Sequence, residues 1–473
     1  MTEVVSERFL DRTLRNLRER WRDIANSAYD VLGKGAPSAD LAEDDRARLR
    51  QQMRECLQAR GGEVSARARA AELGRTYLSL SPAGRRRFLA LMGSDFDVDH
   101  KAVAAAAAGL AKIGDGNADS RRQAERALRR ALEPGRVKLL TQFNGLPEGV
   151  KFLVDLRADL LRHGTDDPDL MAVEHDLRHL LAGWFDVGFL ELTRITWDAP
   201  ASLLEKLHEY QAVHEVRGWT DLKNRLDADR RCFAFFHPRM PNEPLIFVEV
   251  ALVKGLADSI QKLLDESAPV GDPRQADTAI FYSISNAQKG LANISFGGFL
   301  IKRVVDQLSA EFPRLKTFAT LSPIPGFRHW LDEHLAEAGP GILTPAERKA
   351  LTAAHGQGSK GAIRDVLAEE GWWRQPELAK AMKGPVLRLV ARYLLKAKEE
   401  RGRALDPVAN FHLSNGARVE RLNWLADTSP KGMRQSAGVM VNYLYRLTDI
   451  ETNHEAYAAE KTVTASSAVS GLA

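Results

Sequence analysis

The stretch Phe281–Phe327, FYSISNAQKGLANISFGGFLIKRVVDQLSAEFPRLKTFATLSPIPGF, decides how the whole chain is read. FYSIS is a short apolar and β-branched run, as a strand requires. A loop carrying Gly290, Gly297 and Gly298 follows, and then Leu300, Ile301, Val304, Val305 and Leu308 recur at the spacing of one helix face. KTFATL reads as a second strand and leads into the proline-rich turn Leu321–Phe327. A loop that opens a helix directly after a strand aims backbone N–H groups and the positive helix end at whatever lies in front, usually a phosphate. Lys302 and Arg303, early in that helix, oppose its macrodipole, a conflict that a bound pyrophosphate would relieve. An exposed face opposite the apolar stripe explains the two cations equally well, and glycine spacing alone is a weak signal. The stretch points to a phosphate-bearing ligand.

Upstream, from about Arg8 to Leu181, the pattern is helical throughout. Phe9, Leu10, Leu14, Leu17, Trp21 and Ile24 begin an amphipathic stripe. Further helices are expected near Asp40–Arg60, after the cap signal Ser81-Pro82, and near Lys101–Ile113, Arg121–Leu132, Val150–Leu161 and Leu170–Leu181. The small-residue run Ala102–Leu110 reads as close helix packing, and the runs Arg85–Arg87 and Arg129–Arg130 as solvated helix faces. Near Trp184 the character changes. GFLELTRITW is β-like, ASLLEKLHEY is a short helix, and CFAFFHP and PLIFVEVALV read as two strands.

The expected division is therefore an all-helical domain over 1–184 and an α/β domain over 185–473, with a helical insertion near 330–398. Beyond the insertion, DPVANFHLSNGARVERLNWLAD and MVNYLYRL read as a return to sheet, with Asn415-Gly416 as a hairpin-type turn. The small polar tail after Glu451 is expected to fray.

A length of 473 residues calls for at least two domains, and 44% hydrophobic with 27% charged residues suits large soluble cores. A net charge of +4, with no Lys/Arg tract interleaved with aromatics, argues against nucleic-acid binding. The two cysteines, Cys56 and Cys232, have no metal-type spacing and read as ordinary thiols in a reducing compartment. The N-terminus lacks the layout of a signal peptide and no run could span a bilayer, so a cytoplasmic protein without membrane contact is expected. G-x-S-x-G, G-x-x-x-x-G-K-[ST] and H-E-x-x-H are all absent, which removes the usual support for metal-dependent hydrolysis and kinase chemistry.

Three further residues have the chemistry of a site. Ser322 follows the KTFATL strand, where α/β folds place functional groups, and the prolines flanking Ile324 stiffen its turn. Taken alone it reads better as the cap of the helix FRHWLDEHL. His412 has the residue type of a general acid or base near neutral pH, although a lone histidine is more often structural. Tyr445 by itself reads as core.

FYSIS, SFGGFLIKRVV, TLSPIPGF, DPVANFHLSNGA, NWLAD and MVNYLY, in that order between about Trp184 and Tyr445, resemble the malonyl-CoA decarboxylase family. The resemblance implies an all-helical N-terminal domain used in homo-oligomerisation, as a dimer or tetramer, and a catalytic domain with the GNAT acetyltransferase fold. It implies conversion of malonyl-CoA to acetyl-CoA and carbon dioxide with no metal or organic cofactor, CoA being part of the substrate. The family's catalytic serine falls on Ser322, its catalytic histidine on His412, and a tyrosine of its site on Tyr445. Its CoA-contacting loop falls on Ala292, Asn293, Ile294, Ser295, Phe296, Gly297 and Gly298, and Gln288, Gly290 and Lys302 join these as candidate CoA-binding residues. In animal members an acidic residue stands where this chain has Ser295. Two other classes of function compete: a GNAT-type acyltransferase, which needs an amine acceptor, and a non-catalytic acyl-CoA sensor.

Overall fold

The computed structural model describes residues 17–19, 21–22, 24, 37–58, 62–113, 118–164, 166–211, 213–294, 299–338, 342–355 and 363–473. Of the N-terminal stripe, Phe9, Leu10 and Leu14 lie outside these residues, while Leu17 and Trp21 are helical and buried. The chain forms two compact units. One comprises Met1–Glu191, Phe236–Pro244 and Gln288–Ser295, the other Leu192–Phe235, Leu245–Ala287 and Phe296–Ala473.

The first unit is helical, as its sequence pattern requires. Helices Glu43–Leu57, Gly62–Ser79, Pro82–Asp95, Gly135–Asn144, Gly149–His163 and Pro168–Trp184 pool their apolar faces around Trp21, Tyr77, Phe88, Phe143 and Phe152. Phe152 sits at the centre, with Trp21 4.8 Å away edge-on and Phe143 5.0 Å away. Ser81 caps its helix as expected, accepting from Gly84 N–H. The arginine run after it is not simply a solvated face: Arg85 pairs with Asp159, Arg86 with Asp167, and Arg87 donates to the Asp40 carbonyl. The alanine-rich helix His100–Ala111 pairs with Ala118–Ala131, yet neither helix buries a residue, so its small side chains serve contact within that hairpin rather than core packing.

The second unit is built on a seven-stranded sheet of order β1-β2-β3-β4-β5-β7-β6, where β1 is Glu191–Ile195, β2 Arg230–Phe236, β3 Ile246–Val253, β4 Thr278–Asn286, β5 Thr317–Thr320, β6 Arg418–Asn423 and β7 Met440–Leu444. β2, β3 and β4 are antiparallel neighbours, β4 and β5 form a parallel pair, and β7 runs antiparallel to β5 and β6. β2 and β3 are buried on both faces, which is why their sequences are almost continuously apolar. The parallel pair needs a crossover, and helix Phe299–Glu311 supplies it, burying Leu300, Ile301, Val304, Val305 and Leu308. Helices Phe327–Ala338, Pro345–His355, Ile363–Ala368 and Pro376–Lys396 occupy the stretch expected to be a helical insertion.

Two expectations are corrected here. Residues 407–414 are a helix, not sheet: Asp406 caps it through Val408 and Ala409 N–H, Pro407 occupies its first position, and Gly416, at φ +78°, ends it. Asn415-Gly416 is thus a helix terminus rather than a hairpin turn. The tail does not fray either. Helix Ile450–Glu460 buries Tyr457, Ala465 bridges to Val419, and Ser466 N–H donates to the Val419 carbonyl.

Candidate active site

Ser322 stands just past the end of β5 and exchanges both backbone hydrogen bonds with Val441 of β7, at 2.8 and 2.9 Å. The helix after it begins only at Phe327, so the reading of Ser322 as a helix cap is wrong. Its hydroxyl instead donates to Thr320 Oγ1 (2.8 Å) and lies 3.1 Å from His412 Nε2. His412 is in the last turn of helix Pro407–Ser414, and its Nδ1 meets the Tyr445 hydroxyl at 2.7 Å. Residues 90 and 33 positions apart in sequence therefore form one hydrogen-bonded chain, Ser322–His412–Tyr445.

The imidazole lies flat on the Tyr443 ring, with centroids 4.6 Å apart and planes inclined by 27°. Ser322 and His412 are only 5% and 3% exposed. Burial, with no compensating carboxylate, pushes the His412 pKa down to about 3, so the ring is neutral at physiological pH. Burial likewise holds Tyr445 and Tyr443 well above the ordinary tyrosine range, so both keep their protons. The Tyr443 hydroxyl is buried with no hydrogen-bond partner among the described residues.

Asp406 ties the elements together. One of its oxygens caps the His412 helix, and the other accepts from Gly326 N–H at 3.2 Å and from the Tyr393 hydroxyl at 3.4 Å. Gly326 ends the turn that begins at Ser322, and a Cβ there would stand 2.2 Å from the Tyr393 oxygen, so any larger residue would have to displace that hydroxyl from Asp406. Burial pushes the Asp406 carboxyl above its usual range, against the backbone N–H bonds that favour its charge.

The expected CoA-binding residues divide between the two units. Gln288 is buried and donates to the Pro244 carbonyl (2.9 Å), while Gly290 packs so closely on helix Gly149–His163 that a Cβ would come within 1.8 Å of the Val154 carbonyl. Both positions are taken by anchoring contacts. Arg157, itself buried, donates one Nη to the carbonyls of Gly290 (2.6 Å) and Ala292 (2.8 Å), and its Nε and other Nη to Glu174. With two carbonyls held this way the local path is fixed, and Asn293 takes the left-handed conformation, φ 60°, on the exposed side. Ile294 is buried. Ser295, Phe296, Gly297 and Gly298 lie outside the described residues. Lys302 and Arg303 are on helix Phe299–Glu311 in the other unit, Lys302 exposed and Arg303 against the Phe235 ring.

Sequence reasoning missed Thr320, Tyr443, Asp406 and Arg157. Asp406-Pro407 was the one legible signal, being a helix-start dipeptide. Among the described residues no cluster of His, Cys, Asp and Glu has the makings of a metal site, and no helix is long and apolar enough to cross a membrane.

A helical unit and a mixed α/β sheet with a buried Ser–His–Tyr chain at its β5–β7 seam define the class of the protein, a helical domain followed by an α/β domain that carries the candidate site. Residues 96–185 match the malonyl-CoA decarboxylase N-terminal domain, and residues 188–473 the malonyl-CoA decarboxylase C-terminal domain. The chain belongs to the malonyl-CoA decarboxylase family. It is 40% identical over 418 residues to the mitochondrial malonyl-CoA decarboxylase of Anser anser anser, covering 85% of this chain and 83% of that protein. With the mitochondrial enzyme of Rattus norvegicus it shares 37% identity over 463 residues, covering 94% and 91%. The crystal structure of malonyl-CoA decarboxylase from Rhodopseudomonas palustris superposes with a TM-score of 0.81 at 43% identity, covering 90% of this chain and 98% of that one. The corresponding structure from Agrobacterium vitis gives 0.80 at 43%, with 90% and 99% covered.

Proposed function

We propose that this chain is a carboxy-lyase that converts malonyl-CoA to acetyl-CoA and carbon dioxide, with Ser322 and His412 as the working pair. The observation that carries the assignment of residues is the buried hydrogen-bonded chain Ser322–His412–Tyr445.

In the reaction the bond between the α-carbon and the carboxylate breaks, and its electron pair passes into the thioester carbonyl as an enolate. The α-carbon then takes a proton. The substrate's own carbonyl is the electron sink, so the step needs neither a metal nor an organic cofactor. Charge concentrated on the carboxylate spreads over the enolate in the transition state. A dry surround of neutral groups stabilises the spread charge relative to the concentrated one, and His412, held neutral by burial, suits this. Ser322 and His412 hydrogen-bond the carboxylate out of the thioester plane and supply the proton to carbon. Water restores that proton after the products leave.

The segment Ala292–Gly298 binds the CoA moiety, and Arg157 fixes the path of the chain where that segment begins by holding the carbonyls of Gly290 and Ala292. The protein acts in the cytosol as a homo-oligomer joined through its helical part. The free, buried thiols of Cys56 and Cys232 support a reducing compartment, and the helix pair His100–Ala111 and Ala118–Ala131, which buries no residue in a single copy, supports assembly there.

Incubation with malonyl-CoA and no acceptor tests the reading: acetyl-CoA and carbon dioxide are expected in equal amounts. Turnover that appears only when an amine is added would make the protein an acyltransferase. Tight binding with malonyl-CoA recovered intact would make it a sensor.

A further inference from the structure

β5 and β7 are in register at Ala319–Leu444 and again at Ser322–Val441, which places Thr320 opposite Tyr443. Ser322 and Val441 exchange both backbone bonds, and Tyr445 N–H donates to the Phe318 carbonyl. Antiparallel pairing would then have Tyr443 N–H donate to the Thr320 carbonyl. It does not. The Asn442 side chain takes that carbonyl (2.7 Å), and Tyr443 N–H turns to the Thr320 hydroxyl oxygen (3.1 Å). Asn442 is itself locked, its carbonyl oxygen accepting from Arg421 and Asn423 and its amide also donating to the Ala257 carbonyl. The seam thus exposes a fully buried threonine oxygen to a second donor, which is the Ser322 hydroxyl.

We infer that Thr320 is a positioning residue that sets the tautomer of His412. The protons available to each group set the direction of the chain. Serine has one, and it goes to Thr320. The 3.1 Å contact between Ser322 and His412 must then be donated by His412 Nε2–H. With its single proton on Nε2, the neutral ring presents Nδ1 as an acceptor, and the Tyr445 hydroxyl donates to it. The whole chain runs one way: Tyr445 O–H to Nδ1, Nε2–H to Ser322, Ser322 O–H to Thr320. The histidine proton therefore faces the serine, its partner in the proposed proton transfer, rather than the tyrosine. Without the threonine hydroxyl, Ser322 would turn its proton to Nε2. The imidazole proton would then move to Nδ1 and face Tyr445.

The inference rests on the proposed catalytic role of Ser322 and His412, but it is read out separately. Full-length enzyme labelled with 15N in histidine reports which ring nitrogen of His412 is protonated, assigned by comparison with His412→Gln. Wild type is expected to show Nε2–H. Thr320→Val, which keeps the shape and removes the hydroxyl, is expected to shift the proton to Nδ1 and lower kcat on the order of 10–10²-fold with KM nearly unchanged. Thr320→Ser restores both, which a merely structural role would not predict. An Nδ1–H tautomer in wild type, or Thr320→Val retaining Nε2–H, overturns the inference whatever the activity. A tautomer that shifts as expected while His412→Ala turns over normally leaves the threonine's role standing and removes the catalytic reading instead.

Discussion

The groups bonded to His412 are uncharged hydroxyls, whereas Arg225, buried in the same α/β unit, is surrounded by carboxylates. Arg225 makes two bonds to Asp221 at 3.0 Å, approaches Glu249 at 3.4 Å and donates to the carbonyls of His214 and Glu215. Glu249, on β3, is fully buried and also accepts from Gln211, whose carbonyl oxygen in turn accepts from Ser283 and Ser285. Burial raises the Glu249 pKa, only partly offset by Arg225. For Asp221 burial also pushes upward, but the bonds from Arg225 and Arg217 outweigh it and hold the carboxyl below its usual range. One cluster thus pins helix Trp219–Asn224 and β3 with charge, and the other keeps charge away from an imidazole. A buried ion pair stabilises only while both partners remain, whereas a chain of neutral groups is free to pass protons along itself.

The largest contrast should appear on deleting the centre of each cluster. His412→Ala is expected to lower turnover of malonyl-CoA by about 10²–10⁴ while leaving the protein folded. Arg225→Met strands Asp221 and Glu249 and is expected to cost roughly 3–5 kcal/mol of stability, with turnover per folded molecule little changed. Urea unfolding and turnover measured on both variants check the pair of statements. The contrast breaks if His412→Ala acts through unfolding, or if Arg225→Met abolishes turnover at wild-type stability.

Acid weakens the His412 cluster, whereas within the Arg225 cluster it acts in both directions, against Asp221, whose carboxyl is held low, and in favour of Glu249, whose carboxyl is held high. His412 is held neutral down to about pH 3, while in the unfolded chain it protonates near the ordinary histidine value of 6.5. Its contribution to stability is therefore complete above 6.5 and is lost as pH falls from 6.5 towards 3, at up to about 1.4 kcal/mol per pH unit. His214, lowered to about 4 first by burial, adds a loss of the same sign. Glu249, raised by burial, acts the other way, because protonation relieves its folded state more than the unfolded one. Stability measured at pH 7, 6 and 5 should fall more steeply for wild type than for His412→Gln. Parallel slopes would mean that the ring is protonated in the folded protein. For the same reason kcat should show no ionisation of His412 between pH 5 and 8.

The smallest effect is expected at Asp406. Asp406→Ala removes a helix cap and the bond to Gly326, costing about 1–2 kcal/mol. It should also lower kcat by roughly tenfold, on the scale of losing about 1.4 kcal/mol of orientation. Full activity in this variant would show that the helix carrying His412 is placed by packing alone.

The helical half, the strand–helix–strand core and the positions Ser322, His412 and Tyr445 were legible in the sequence, the last three through family resemblance rather than spacing. What was not legible has a common cause. Thr320 acts through a seam where two strands part, and Tyr443 through a ring face, neither of which leaves a periodic trace. The helix at 407–414 was misread because NFHL alternates polar and apolar residues as a strand does, and the capping dipeptide before it was the discriminating signal. The tail was misread because its burial depends on Tyr457, whose hydroxyl accepts from Ala404 N–H and donates to Asn410 across the fold.

Gly326 and Asp406, 80 residues apart, are joined by one carboxylate oxygen. That bond closes the intervening helices into a loop pinched at its neck, beside the two residues whose spacing matters most. Closing entropy grows only logarithmically, about 0.6 kcal/mol for each doubling of length. The neck therefore keeps the segments that carry Ser322 and His412 together at little entropic cost, and the loop can lengthen at positions away from Tyr393, which itself bonds Asp406, without retuning the chemistry.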